Sequence, residues 1–273
     1  MKAWEGVLES LAPERSVKPR KDGFTMVIDK GLGLSHTQDL MDTAAGVIDF
    51  LKMTFGTAAL LDYDFVKRKA AIVTTAGVDI YPGGTFLEIA VFQNKYKEYF
   101  DRCLELGLTA VEISDGTLEI PLNQRVEIIK AAKERGLKVI TEVGKKDPNE
   151  KVAFELMHET IQSDLDLGVE EVIVEARESG KGVGVFDASG AVDSSEVDKI
   201  IAGVEDPSRL MWEAPLKNQQ IYMIKRFGTN VSFGNIPPDD ILALEALRCR
   251  MRGDTLKPVF LSAIKSEEKK LGS

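Results

Sequence analysis

Residues 138–146 read Lys138-Val139-Ile140-Thr141-Glu142-Val143-Gly144-Lys145-Lys146, an apolar, β-branched run that stops on a carboxylate, a glycine and two lysines. Glu171-Val172-Ile173-Val174-Glu175 has the same form, and Leu210-Met211-Trp212-Glu213 repeats it. Apolar runs this short suit strands buried on both faces, as in a parallel sheet. Working outward, further strand candidates lie at 24–29, 48–52, 79–81, 110–113 and 230–233, with 138–143, 171–175 and 210–213 completing the set. Amphipathic segments separate them, around 39–46, 65–76, 95–106, 123–135, 150–167, 195–202, 219–226 and 239–250. Strand ends recur about every thirty residues, the length of one βαβ unit.

Eight such units in roughly 250 residues predict an α/β fold, a single (β/α)8 TIM barrel. A doubly wound open sheet is the competitor, and it carries a glycine fingerprint at its first strand-to-helix turn. Here Gly31-Leu32-Gly33 follows the first strand candidate, but no third glycine stands three residues on. The expected organisation is a short irregular N-terminal extension over 1–22, one barrel domain over 23–256, and a C-terminal tail over 257–273. The connection from Ala176 to Ser194 is long and rich in glycine, which suggests a lid over the active face.

The chain has 273 residues, 44% of them hydrophobic, and a net charge of −9. That balance argues against nucleic acid, whose phosphates select basic surfaces, and against a polybasic membrane anchor. No stretch approaches the roughly 20 apolar residues a membrane helix needs. Cys103 and Cys249 form no metal or disulfide pattern, so a reducing cytoplasm is the expected compartment. His36 and His158 read as surface or capping residues, and exposed apolar helix faces leave a homo-oligomer open.

In such a barrel the C-terminal strand ends converge on the face where chemistry is found. These ends carry Asp29-Lys30-Gly31, Lys52, Tyr81-Pro82-Gly83-Gly84, Glu112-Ile113-Ser114-Asp115-Gly116, Glu142 to Lys146, Glu175-Ala176-Arg177, Glu213-Ala214-Pro215 and Asn235. Isolated buried charges are costly, so charge of both signs on one face needs a purpose. A ring of mutually paired ions is one reading. The other is a carboxylate cluster holding a divalent metal beside lysines and an arginine holding an anion. Glu142, Glu175 and Glu213 end three consecutive strands and could share one hard cation, for which Mg2+ is the natural choice. Without plausible Cys or His ligands, zinc is disfavoured.

At these residues the sequence resembles the phosphosulfolactate synthase family, from Asp29 to about Thr255. The resemblance rests on the strand ends above together with Asp49-Phe50-Leu51-Lys52, Asn235-Ile236-Pro237 and Arg252-Gly253-Asp254-Thr255. It implies a (β/α)8 barrel that adds sulfite to phosphoenolpyruvate in an Mg2+-dependent reaction, a carbon–sulfur bond-forming lyase giving (2R)-phospho-3-sulfolactate. That product leads toward coenzyme M or sulfolactate. Two departures from the family's pattern are Met53-Thr54-Phe55 after the second strand and Phe233-Gly234 near the eighth.

With the resemblance come expected roles. Glu142, Glu175 and Glu213 would hold the metal, with Asp29 and Asp115 in reserve. Lys146 would be the general acid, its pKa lowered by neighbouring cations, with Lys52 as the alternative. Lys30, Arg177 and Lys181 would hold phosphate, carboxylate or sulfite, joined by Asn235 and by the backbone amides of Gly83 and Gly84. The alternatives to this function are a non-catalytic, heat-stress-associated barrel and another phosphoenolpyruvate or enolate lyase using a Schiff-base lysine.

Overall fold

The computed structural model describes residues 3–147, 152–176 and 179–271. Eight strands alternate with helices in the order β1 (Thr25–Asp29), α1 (Leu34–Ala44), β2 (Phe50–Met53), α2 (Tyr63–Thr75), β3 (Asp79–Pro82), α3 (Gly84–Phe92), α4 (Tyr96–Glu105), β4 (Ala110–Ile113), α5 (Leu122–Glu134), β5 (Lys138–Val143), α6 (Phe154–Asp166), β6 (Glu171–Val174), α7 (Ser194–Ala202), β7 (Leu210–Glu213), α8 (Lys217–Phe227), β8 (Ser232–Ile236), α9 (Ile241–Arg248) and α10 (Gly253–Leu271). The strands hydrogen-bond in the order β3-β2-β1-β8-β7-β6-β5-β4, all parallel where they pair. Between β3 and β4 the ring is completed by the Thr109 amide, which donates to the Ile80 carbonyl at 3.1 Å. The fold is the (β/α)8 barrel.

Two cores follow from the period of two along each strand. Outward-facing residues such as Val27, Leu51, Val111, Val139, Val172 and Trp212 pack under the helices. The inward residues Met26, Phe50, Tyr81, Ala110, Ile140, Ile173 and Met211, with Phe24, fill the barrel's centre. That plug closes the interior from below and leaves the layer above it as the floor of any site.

The third unit holds two helices where one was expected. Helix α3 follows β3 directly, and its sequence GTFLEIAVF is apolar nearly all round, so it shows no amphipathic stripe. The eighth strand runs Ser232–Ile236 rather than 230–233, which places Asn235 inside the strand. Helix α10 extends from Gly253 through the boundary drawn at 256.

Below the barrel, the irregular lead-in is tied down by arginines. Arg15 donates from Nε to Glu245 Oε1 on α9 at 2.9 Å and from Nη1 to the Gly23 carbonyl at 2.9 Å. Arg20 pairs with Asp49 at 2.8 Å. The described part of the long connection after β6 is anchored as well. Gln219 of α8 donates to the carbonyls of Gly180 and Gly190, at 2.7 and 3.1 Å.

Candidate active site

Counting two residues beyond each inward apolar residue of the central plug gives Ile28, Lys52, Gly83, Glu112, Glu142, Glu175 and Glu213. All seven line one cavity of about 310 Å3 at the C-terminal mouth of the barrel. The site is therefore the next layer of the barrel interior, in which charged side chains replace apolar ones. Thr54, Phe55, Gly56, Gly84, Thr85, Thr117, Lys146 and Asn235 complete its walls.

Within that layer the charges interlock. Lys52 Nζ lies 2.8 Å from Glu112 Oε2, 3.6 Å from Glu142 Oε2 and 3.7 Å from Glu213 Oε1. Lys146 Nζ lies 3.0 Å from Glu142 Oε1 and 3.6 Å from Glu175 Oε2, and donates to Thr85 Oγ1 at 3.1 Å. Glu112 Oε1 accepts the Gly84 amide at 2.7 Å, and Glu213 Oε2 accepts the Ala176 amide at 2.9 Å. One oxygen from each of Glu142, Glu175 and Glu213 lies within 4.8 Å of the others, and all three residues are buried.

Among the described residues, four carboxylates face two ammonium groups in this layer, an excess of two negative charges. The excess shows in the proton affinities. Burial, with the charges of Glu142 and Glu213, pushes the Glu175 carboxyl up to about 10. Burial also raises Glu213. For Glu142, burial is outweighed by the ammoniums of Lys146 and Lys52, which draw it down to about 2. Three hard oxygen donors within 4.8 Å of one another fit a divalent metal of the magnesium type.

The lysines go the other way from the sequence expectation. Burial alone would lower Lys146, but Glu142, Glu175 and Glu112 outweigh it and raise its pKa above the usual lysine value. Lys52 is raised well above its usual value by Glu112, Glu142 and Glu213, again against burial. Both are ammonium ions at neutral pH. The neighbours that decide this are carboxylates, not the cations expected from sequence.

Other expected site residues are placed differently. Asp29 faces outward: its Oδ1 accepts the amides of Gly31 and Leu32 at 2.8 and 2.7 Å, and its Oδ2 pairs with Lys69 of α2. It is not available to the cavity. Asp115 lines a separate cavity between α5 and α6 and pairs with Arg125 at 3.6 Å and Lys145 at 3.9 Å. The amides of Gly83 and Gly84 are engaged within the protein, Gly83 with the Met53 carbonyl at 2.9 Å and Gly84 with Glu112. The glycine pair does admit an anion to a backbone amide, but that anion is Glu112.

Lys30 is exposed at the rim, its Nζ 5.7 Å from the centre of the Phe55 ring. Lys181 is exposed on the long connection and forms no part of the cavity wall. Arg177 lies outside the described residues. Asn235 reaches the cavity with a left-handed backbone, φ 56°, and its buried Oδ1 meets no donor among the described residues.

The sequence reading gives Glu112 a place at a strand end but no role, and gives none to Thr85 or Glu88. Glu112 was available from the period of two, since it interrupts Ala110-Val111-Ile113 on the inward register. Glu88 lies one turn along α3 from Thr85 and accepts Ser114 Oγ at 2.7 Å and the amides of Thr117 and Leu118 at 3.0 and 2.6 Å. It thereby holds the loop whose Gly116 lies against Lys146: a Cβ at Gly116 would meet the Lys146 chain at 3.2–3.3 Å.

Comparison with known proteins is consistent across sequence and fold. The profile of the family described as (2R)-phospho-3-sulfolactate synthase matches residues 13–254. The chain is 42% identical to the phosphosulfolactate synthase of Methanothermobacter thermautotrophicus, over 92% of this chain and 98% of that protein. It is also 42% identical to the phosphosulfolactate synthase of Methanocaldococcus jannaschii, over 87% of this chain and 95% of that protein. The YdjI aldolase of Escherichia coli K12 shares the fold with a TM-score of 0.54 at 12% identity, covering 90% of this chain and 91% of that one.

Proposed function

The chain belongs to the (2R)-phospho-3-sulfolactate synthase family, a family of enzymes acting on small molecules, and from that premise we propose that its cavity joins sulfite to phosphoenolpyruvate with a bound Mg2+. The observation that carries this reading is the buried triad Glu142, Glu175 and Glu213 within 4.8 Å, flanked by Lys52 and Lys146.

The physical problem is to bring two anions together. At an effective dielectric of about 20, unit charges 4 Å apart repel by roughly 4 kcal/mol, and multiply charged partners repel several times more. Glu142, Glu175 and Glu213 would hold the cation, which would supply Lewis-acid stabilisation to charge developing on the substrate carboxylate. The remaining work falls to side chains. Sulfur donates its lone pair to the methylene carbon, forming the C–S bond. The π electrons move toward the carboxylate, and the former enol carbon then takes a proton, leaving the phosphate ester intact.

Lys146 is positioned to give that proton. Its side chain is the more open of the two lysines, 25% exposed against 8% for Lys52, and Thr85 fixes its Nζ at the cavity wall. Its raised pKa keeps it charged until it is used. Glu142, drawn down to about 2 and 3.0 Å away, is the charge that chiefly holds that proton, and it is a carboxylate a metal would neutralise. Lys52, enclosed by three carboxylates, holds the layer together rather than meeting substrate. Thr85, Thr117 and the Asn235 side chain line the cavity and offer hydrogen bonds to substrate, and Lys30 attracts anions at the rim.

A Schiff-base mechanism fits less well, because it needs a neutral amine with a depressed pKa, and both lysines are shifted upward. A purely structural barrel fits less well too. Buried ion clusters contribute little stability compared with apolar packing, and the layer below is already apolar. The test is ³¹P NMR on purified protein with phosphoenolpyruvate, sulfite and Mg2+. A new phosphate ester that disappears when sulfite or Mg2+ is omitted supports the assignment, and unchanged phosphoenolpyruvate would defeat it.

A further inference from the structure

Among the described residues, Phe55 is one of four non-glycine residues with a positive φ, and the aromatic one. It lies two residues past the end of β2 with φ 59°, a left-handed backbone that a bulky side chain seldom adopts. The residue is 56% exposed, so burial does not offset the strain. Strained conformations of this kind collect where a ligand is gripped. What the strain achieves here is placement: the ring forms part of the cavity wall between Thr54 and Gly56.

The wall it builds differs from the others. Ile28 and Phe55 are the large apolar side chains among the cavity's lining residues, and everything else that reaches the interior is polar, charged or glycine. Lys30, arriving from the end of β1, places its ammonium 5.7 Å from the Phe55 ring centre. A cation over an aromatic face is attracted by the ring quadrupole, so the pair presents an apolar surface backed by positive charge. That combination suits a small, flat, unsaturated carbon skeleton whose ends are anionic.

We propose that Phe55 is a specificity-determining residue. With Ile28 it receives the flat face of the unsaturated three-carbon acid and keeps water from it, while Lys30 draws the anion to the mouth. This rests on an enol phosphate being the substrate, as argued above.

The test compares the wild-type chain with Phe55→Gly and Phe55→Tyr, titrating phosphoenolpyruvate in the presence of Mg2+ by calorimetry and recording thermal unfolding and sedimentation. Glycine relieves the left-handed backbone and removes the wall, whereas tyrosine keeps the ring. The expected result for Phe55→Gly is a dissociation constant raised about tenfold or more with no fall in Tm, since lost apolar burial weakens binding and released strain does not weaken the fold. Phe55→Tyr should stay within about threefold of wild type. Wild-type affinity in Phe55→Gly would overturn the proposal. So would weaker binding accompanied by a Tm lower by several degrees, which would make Phe55 a folding residue, or by a changed sedimentation mass, which would make it a contact between copies. If the wild-type chain itself binds no phosphoenolpyruvate, the functional reading fails first and takes this proposal with it.

Discussion

The backbone amide of Gly84 donates to Glu112 Oε1 at 2.7 Å, and a Cβ placed on residue 84 would lie 2.9 Å from that oxygen and 2.5 Å from Ser114 Oγ. The first residue of α3 thus has no room for a side chain, because the space is occupied by Ser114 and by the carboxylate that pairs with Lys52. Gly84→Ala must displace both Ser114 and Glu112, and moving Glu112 loosens Lys52 from the charged layer. Overpacking of this kind costs about 1–3 kcal/mol. The expected outcome is a lower Tm together with a loss of turnover, measured by thermal unfolding and the ³¹P assay. An alanine variant with unchanged turnover would show that the Glu112–Lys52 pair is not needed for activity.

Lys146 offers the sharpest kinetic prediction. Lys146→Ala should lower kcat by about 10²–10⁴ if the ammonium is the proton donor, the usual range for general acid catalysis. Turnover retained in full would transfer the role to Lys52. Lys146→Arg keeps the charge beside Glu142 and Glu175 but holds its proton far more tightly, so it should restore substrate binding without restoring kcat.

Glu88 should matter although it lies off the cavity. Replacing it by Gln keeps the volume but removes acceptor capacity from a carboxylate that now serves Ser114, Thr117 and Leu118. The loop carrying Gly116 should shift, and Lys146 with it. A misplacement near 1 Å can cost about 10²-fold in rate, so kcat should fall by about 10- to 100-fold with KM little changed. Mass-spectrometric mapping of an amine-reactive label should show Lys146 more accessible in Glu88→Gln than in wild type, and an unchanged labelling pattern with unchanged kcat would count against the coupling.

The barrel could be read from short β-branched runs ending in charge, because both faces of a parallel strand must be apolar. The triad Glu142, Glu175 and Glu213 could be read because each closes such a run. Helix α3 could not, since GTFLEIAVF carries no 3.6-residue stripe to mark it, and with α3 hidden the roles of Thr85 and Glu88 were hidden too. The proton affinity of Lys146 is hidden from the sequence for a related reason. Spacing along the chain shows which charges gather at a mouth but not which lie within 4 Å, and the contacts at 3.0 and 3.6 Å are both to carboxylates. Asp29 ends its strand like the others, yet the alternation turns it outward to Lys69.

At the opposite end of the barrel, Glu245 sets a pH-dependent contribution to stability. Burial would raise its carboxyl, but the hydrogen bonds and charge of Arg15 outweigh that and hold its pKa below the usual value. A carboxyl depressed in the folded state stabilises the fold above its unfolded pKa of about 4.3, and the contribution is lost as pH falls through the folded value. Glu245→Gln should therefore lower Tm at pH 7, and the gap from wild type should close as pH falls below about 4. A gap that stays constant from pH 7 to pH 3 would mean that Arg15 anchors the N-terminal segment without help from charge.

The metal reading is tested most directly at Glu175, whose Oε2 lies 3.6 Å from Lys146 Nζ and whose carboxyl completes the triad. Glu175→Gln retains size and hydrogen-bonding capacity while removing one hard anionic donor. Losing even an outer partner of a metal ligand commonly costs about 10–100-fold in affinity, so a direct ligand should cost no less than about tenfold. The half-saturating Mg2+ concentration for turnover should rise by that factor, with activity partly recovered at high Mg2+. Fold stability should not suffer, because the variant replaces a carboxyl that burial and its neighbours already push up to about 10 by a neutral amide of the same shape. A Mg2+ titration that superimposes on wild type would remove Glu175 from the ligand set and leave Glu142 and Glu213 to hold the ion with water.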